Sequence, residues 1–340
     1  MERAPGRGGT FVAMRRAAFI LAALLAGPAR GAEPEEAVMA LPAFSLSFSF
    51  DYLAEDMGFY EKRGVRVRQV VLPGVGSING VISGSADFGV SSATSLTRAA
   101  ARGQRLLAIA MTTDRLIVQV VLRKDLAKGF DPAASFARRG LLLKGRTIAV
   151  DSISSLIHAY VLLMAARAGY GADEVKIAVM QPPNMEAAFE SHQIDGFAMS
   201  PPWPEKPVLD GSAVMIASGP DGDPPDYMPF ANNVILTRPE TCAKRKPVCE
   251  AMGQGSAEAV RFLKDHPDEA LALLKKRFAT LDDKLLAVSF EVIRKITPIP
   301  PLVSAKGLEN AERYNVEAGQ MTEDEKLKSY DGLYTDAYVR

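Results

Sequence analysis

The side chains able to do chemistry in this chain are mostly hydroxyls in short runs. These are Ser45/Ser47/Ser49, Ser91-Ser92-Ala93-Thr94, Thr112/Thr113 and Ser152-Ile153-Ser154-Ser155, with Ser77, Asn79 and Ser200 standing apart. Ser and Thr ahead of a helical pattern act as N-caps. The free N–H groups beside them, at the positive end of the helix dipole, also suit an anion or a hydrogen-bond acceptor. The chemistry on offer is therefore noncovalent: holding a small molecule. Asp51 is either a first-turn acid that favours its helix dipole or a partner for a cationic or N–H-bearing ligand. Trp203, the only tryptophan, sits in Ser200-Pro201-Pro202-Trp203-Pro204. Its flat ring either stacks on a ligand or packs in the interior.

Covalent chemistry is poorly supplied. Ser154 and His158 stand four apart on one helix face, within hydrogen-bond reach. No orienting acid or G-x-S-x-G sequence accompanies them, so no catalytic residue is assigned. His158, His192 and His266 are scattered without metal-ligand spacing, and neither a metal nor a cofactor is expected. Cys242 and Cys249 are the only cysteines. On one straight helix, seven residues would hold them ~10 Å apart, too far to bond. Pro247 argues that a helix begins between them, which leaves pairing open.

An apolar share of 48% against 24% charged is that of a chain with a true core. Lys and Arg are scattered and the net charge is +0, so nucleic acid is not an expected partner. The 340 residues allow roughly two ordinary domains. Arg3, Arg7, Arg15 and Arg16 precede the apolar run 17–26, and small residues follow at Ala29, Gly31 and Ala32. That is the layout of a secretory signal over residues 1–32, cleaved near Gly31/Ala32, and the run is far short of the ~20 residues that span a bilayer.

The elements that must position the hydroxyls can be read by period. Phe44–Phe50 (FSLSFSF) alternates like a strand, and Phe50, Leu53, Met57 and Tyr60 mark a helix that Gly58 ends. Strands are expected at 65–72, 87–90, 106–111, 116–122, 147–150, 175–180, 194–199, 213–218 and 232–237. Helices fill the intervals, and those from 248 onward form a helical tail. Such alternation without tight hairpins predicts an α/β fold with mostly parallel sheets. The segments "GSADFG" and "SHQIDGFAM" occupy similar places in the two halves, a weak internal repeat.

Taken in order, "LAEDMGFYEKRGVRV", "ISGSADFGVSSATS", "KGRTIAVDSISS", "AAFESHQIDGFAMSPPWPEK" and "DHPDEALALL" resemble the NitT/TauT group of ABC-importer substrate-binding proteins, the SsuA/THI5-like family. The resemblance runs from about Phe48 to Gln320. It implies a two-lobed, Venus-flytrap periplasmic-binding-protein fold. One lobe would be built from 38–117 plus 231–340, the other from 118–230, with the ligand between them. It also implies a periplasmic monomer that closes on a sulfonate, nitrate-like anion, pyrimidine or aromatic acid. That ligand would then pass to an inner-membrane permease with its ATPase subunit. The expected ligand-binding set is Ser49, Asp51, Ser77, Asn79, Ser91, Ser92, Thr94, Thr112, Ser152, Ser154, Ser155, Ser200 and Trp203. The alternatives are a thiamine-pyrimidine-synthase-like enzyme of the same fold, for which Lys62 lies near the expected region, and a periplasmic sensory or adaptor protein.

Overall fold

Apolar runs of period two alternate with helical stripes along most of the chain. The structure, a computed structural model, arranges them as two five-stranded sheets. It describes residues 33–340 together with Met1, Glu2, Ala4 and Gly6, so the export signal read over 1–32 lies outside the described residues. The strands are β1 (Glu35–Leu41), β2 (Val65–Val71), β3 (Phe88–Ser92), β4 (Leu107–Met111), β5 (Gln119–Arg123), β6 (Thr147–Val150), β7 (Lys176–Val179), β8 (Gly196–Met199), β9 (Ala213–Ser218) and β10 (Asn233–Thr237). The helices of the first part are α1 (Ser49–Asp56), α2 (Gly76–Ser83), α3 (Ala93–Ala101), α4 (Phe136–Gly140), α5 (Leu156–Arg167), α6 (Pro182–Glu190) and α7 (Glu205–Leu209). The remainder carries α8 (Pro239–Lys244), α9 (Lys246–Asp265), α10 (Pro267–Arg277), α11 (Asp283–Ile296) and α12 (Ala305–Glu317).

The sheets share one topology, β2-β1-β3-β10-β4 and β7-β6-β8-β5-β9. In each, four strands run one way and a single strand, β10 or β5, runs against its two neighbours. That reversed strand is the first one laid down after the chain crosses from one sheet to the other. The sequence repeat has a structural role here. Asp87 precedes β3 and its Oδ2 accepts the backbone N–H of Val38 at 2.8 Å; Asp195 precedes β8 and its Oδ2 accepts that of Thr147 at 2.9 Å. Each aspartate thus ties the same two strands of its own sheet.

Two readings of the sequence need correction. Phe44–Phe50 is not a strand: Leu46–Phe48 is a 3-10 turn that runs into α1. Phe44 is exposed while Ser45 through Phe50 are all buried, serines and phenylalanines alike, so the alternation does not separate an inner face from an outer one. The strand of this region is β1 instead, paired in parallel with both β2 and β3. Buried on both faces, such a strand shows no alternation.

The edge strand β4 is closed by the chain's end, with Ala108 N–H donating to Leu333 and Thr335 N–H to Ala108, both at 2.9 Å. This covers an edge that would otherwise offer free backbone groups. Arg245 breaks the path between α8 and α9 at φ −128°, ψ 50°, and Cys242 and Cys249 are bonded across the break with Cα atoms 5.5 Å apart. No helix among the described residues is long and apolar enough to cross a membrane.

Candidate ligand-binding site

In open α/β sheets the space beyond the carboxyl ends of parallel strands is where ligands sit. Both sheets turn that end toward the same cavity, of ≈ 60 Å³. Pro42 and Ala43 enter it after β1, and Ser91 and Ser92 at the end of β3. From the other sheet come Asp151 after β6, and Met199 and Ser200 at the end of β8. Asn233 begins β10, Ile117 precedes β5, and Gly74 and Val75 lie ahead of α2.

Helix starts supply the polar part of the wall. The Ser92 Oγ caps α3, accepting the Ser95 N–H at 3.3 Å and lying 2.6 Å from the Thr94 hydroxyl. Ser155 caps α5: its Oγ accepts the His158 N–H at 3.0 Å and donates to Asp151 Oδ1 at 2.6 Å. Ser45, which lies outside the lining, caps the turn before α1, stands 2.9 Å from Ser200 Oγ, and donates to the Pro201 carbonyl at 2.7 Å. These last contacts join the two lobes directly. Elsewhere the wall is apolar, formed by Phe48, Val75, Ile117, Leu156, Ile157 and Met199, and no Lys, Arg or His belongs to it. Burial pushes the Asp151 carboxyl above its usual range, and the hydrogen bonds from Ser155 and from the Ser152 and Asp151 backbone N–H groups only partly offset this.

Volume limits what can enter. An apolar cavity of ~150 Å³ holds benzene, so ≈ 60 Å³ takes a head group of a few atoms, with the rest of a larger ligand outside it. A second cavity of ≈ 370 Å³ meets the first at Val75 and Ser95 and is lined by Asn79, Arg98, Arg102, Ser154 and Gln320 among others. Arg98 fastens the lobes there. Its guanidinium donates to the Ser154 carbonyl at 2.6 Å and to Asn315 Oδ1 at 3.5 Å, and also to the Gln320 amide oxygen. Ser154 carries this contact in a left-handed conformation, φ 63°, and its N–H donates to His158 Nδ1 at 3.2 Å. That ring nitrogen receives the backbone, not the Ser154 hydroxyl.

The residues expected from sequence divide into those at the cavities and those elsewhere. Ser91, Ser92, Ser155 and Ser200 line the first cavity, and Asn79 and Ser154 the second. Ser49, Asp51, Ser77, Thr94, Thr112, Ser152 and Trp203 line neither. Ser49 and Ser77 bond back to the carbonyls of Leu46 and Gly74, and Thr112 to that of Asn233. Thr94 is wholly buried beneath Ser92. Trp203 packs against the core with its ring N–H unpartnered. Asp51 is fully buried, neither carboxylate oxygen has a hydrogen-bond partner, and burial holds its pKa well above the ordinary range. Ser152 faces Gly74 across the seam instead of the cavity.

Asp151, Ser95 and Asn233 were missed, along with the apolar wall. The signal for Asp151 was present, since it is the first residue after a parallel strand. Asn233 gave none: it reads as the start of a return strand, and only the sheet order places it beside Ser47, whose carbonyl accepts its Nδ2–H at 3.2 Å.

A model of the family described as NMT1/THI5 like matches residues 45–270. No curated protein matches the sequence. Among solved structures, a protein from Bordetella bronchiseptica RB50 superposes with TM-score 0.78 at 16% identity, covering 90% of this chain and 96% of its own. The alkanesulfonate-binding protein SsuA from Xanthomonas axonopodis pv. citri, bound to MOPS, gives 0.69 at 19% identity over 87% and 97%. The periplasmic nitrate-binding protein NrtA from Synechocystis PCC 6803 gives 0.66 at 14% identity over 90% and 87%. At these identities the likeness is one of fold, the two-lobed periplasmic-binding-protein fold.

Proposed function

Because the chain belongs to the NMT1/THI5-like family, we propose that it is the solute-binding component of an ABC importer. In this reading it is exported to the periplasm and works as a monomer. Residues 38–117 plus 231–340 and residues 118–230 close as two bodies on a small organic or oxyanionic ligand and hand it to a membrane permease. The observation that carries this is the cavity at which the strand ends of both sheets and the capped starts of α3 and α5 meet. Hinge closure around a ligand is the usual motion of this architecture.

The wall supports capture over turnover: it holds hydroxyls, one carboxyl, the Asn233 amide and apolar groups, with no cysteine, histidine or lysine. Lys62, the residue nearest to an enzyme reading, is exposed and paired with Glu258. Cys242 and Cys249 are bonded to each other.

A thermal-shift screen of the mature chain against sulfonates, nitrate-like anions, pyrimidines and aromatic carboxylates tests the proposal. A true ligand raises stability by mass action, about 2.7 kcal/mol at a hundredfold excess over Kd, and is recovered unchanged. Chemical conversion of a stabilising ligand overturns the binding role.

A further inference from the structure

One group in the cavity wall is not accounted for by the fold. Asp151 follows β6 directly, is 7% exposed and lines the cavity. Its Oδ1 accepts the Ser155 hydroxyl at 2.6 Å. Its Oδ2 takes no side-chain hydrogen bond among the described residues and lies at the seam, 3.5 Å from where a Cβ on Gly74 would stand. A buried carboxylate costs several kcal/mol unless a cation or donors meet it. No cation is provided. The cavity wall has no basic side chain, and Arg98 in the adjoining cavity directs its guanidinium to Ser154, Asn315 and Gln320. Asp51, whose carboxylate oxygens meet no partner, lies outside both cavities, so Asp151 is the one acid among the residues lining them.

We propose that Asp151 is the specificity-determining residue of this site and that the ligand it selects carries a nitrogen head group, an ammonium, an amidinium or an amino N–H, which donates to Asp151 Oδ2. The inference rests on the solute-binding reading above and narrows it. A charge-assisted N–H···O⁻ bond is about twice as strong as a neutral one, and here it also relieves the buried charge. For a nitrate-like or sulfonate oxyanion the same carboxylate is a like charge at contact distance, in an apolar surround that screens it weakly. Size agrees, because ≈ 60 Å³ admits a head of a few atoms. The rest of a larger ligand extends past Val75 and Ser95 toward the second cavity.

The test is calorimetric titration of the mature chain with two series of small probes. Methylammonium, guanidinium, acetamidinium and 4-aminopyrimidine form one series, and nitrate, acetate and methanesulfonate the other. At least one nitrogen probe should bind more tightly than every oxyanion, and Asp151→Asn should weaken it tenfold or more. The same variant should leave oxyanion binding unchanged or improve it. Asp151→Ser serves as a second variant should the amide fail to fold. If an oxyanion binds best, or if both variants keep the wild-type affinity for the nitrogen probe, the inference is overturned while the solute-binding reading stands. If neither series binds and the wider screen is also silent, both are overturned.

Discussion

A serine that caps a helix and a serine that holds a ligand use the same oxygen, and at the residue scale this is the ambiguity of the site. Ser92 and Ser155 cap α3 and α5 and also line the cavity, so they are placed for both roles. Ser49 and Ser77 turn inward to nearby carbonyls. The aspartates show the same divergence. Asp51 falls within the first turn of α1 and is sealed in the core, whereas Asp151 falls at a strand end and reaches the cavity.

A third carboxyl shows what an unpaired burial does to stability. Glu205 at the start of α7 is almost fully buried, and neither of its oxygens meets a partner at hydrogen-bond geometry. Burial pushes its pKa from 4.5 to about 7, with Gln119 lowering it only in part. The folded state therefore holds its proton more tightly than the unfolded one. The group contributes its full share below pH 4.5, and that share is lost as pH rises from there to about 7. At ~1.4 kcal/mol per pH unit the loss is roughly 3 kcal/mol. Glu205→Gln should remove this slope. Urea melts at pH 5 and pH 8 should show a smaller pH difference for the variant than for the wild type, and an unchanged difference would refute the assignment.

At the scale of the element, the loop between β2 and α2 decides how closely the lobes meet. Gly74 adopts φ +54°, which only glycine takes easily, and a Cβ there would stand 2.0 Å from Ser152 Oγ and 2.8 Å from Ser152 Cβ. Gly74→Ala must push Ser152 away and hold the lobes apart. Ligand affinity should fall at least tenfold, and Ser152→Gly in the same chain should restore part of it. Equal affinity in Gly74→Ala would mean that this contact is not part of closure.

Across the whole molecule, contacts between the two sheets' layers come from many parts of the chain. The Tyr314 hydroxyl donates to the Leu156 carbonyl at 2.9 Å, Arg167 pairs with Glu317 at 2.8 Å, and Arg98 reaches Ser154. Arg98 is the costly member: it is buried without a carboxylate, and burial, aided by Arg102, draws its pKa down to about 10. A cation kept there despite that cost points to closure and not to folding. Arg98→Met should leave the melting temperature of the free protein unchanged or raised. It should weaken ligand binding about tenfold, the value of one hydrogen bond to a charged group. A radius of gyration from small-angle scattering that no longer contracts on adding ligand would identify the same loss.

Much of this was legible in the residues themselves. The strand–helix alternation, the capped runs at Ser91–Thr94 and Ser152–Ser155, and the places of Asp87 and Asp195 just ahead of strands follow from local rules of period, capping and turn chemistry. Those rules act within a few residues, so sequence alone can display them. It could not show β1, whose burial on both faces erases the alternation, nor that FSLSFSF is a turn entering a helix. Nor could it show which hydroxyls face inward. A side chain's direction at a strand end depends on the sheet order and on the opposite lobe, and both are set by segments more than a hundred residues away, as Ser45 to Ser200 and Asn233 to Ser47 illustrate. The sequence by itself determined what kind of surface this chain could build. Only the tertiary structure decided that Asp151, and not Asp51, stands in it, because only long-range packing determines which of two buried acids is left facing a cavity.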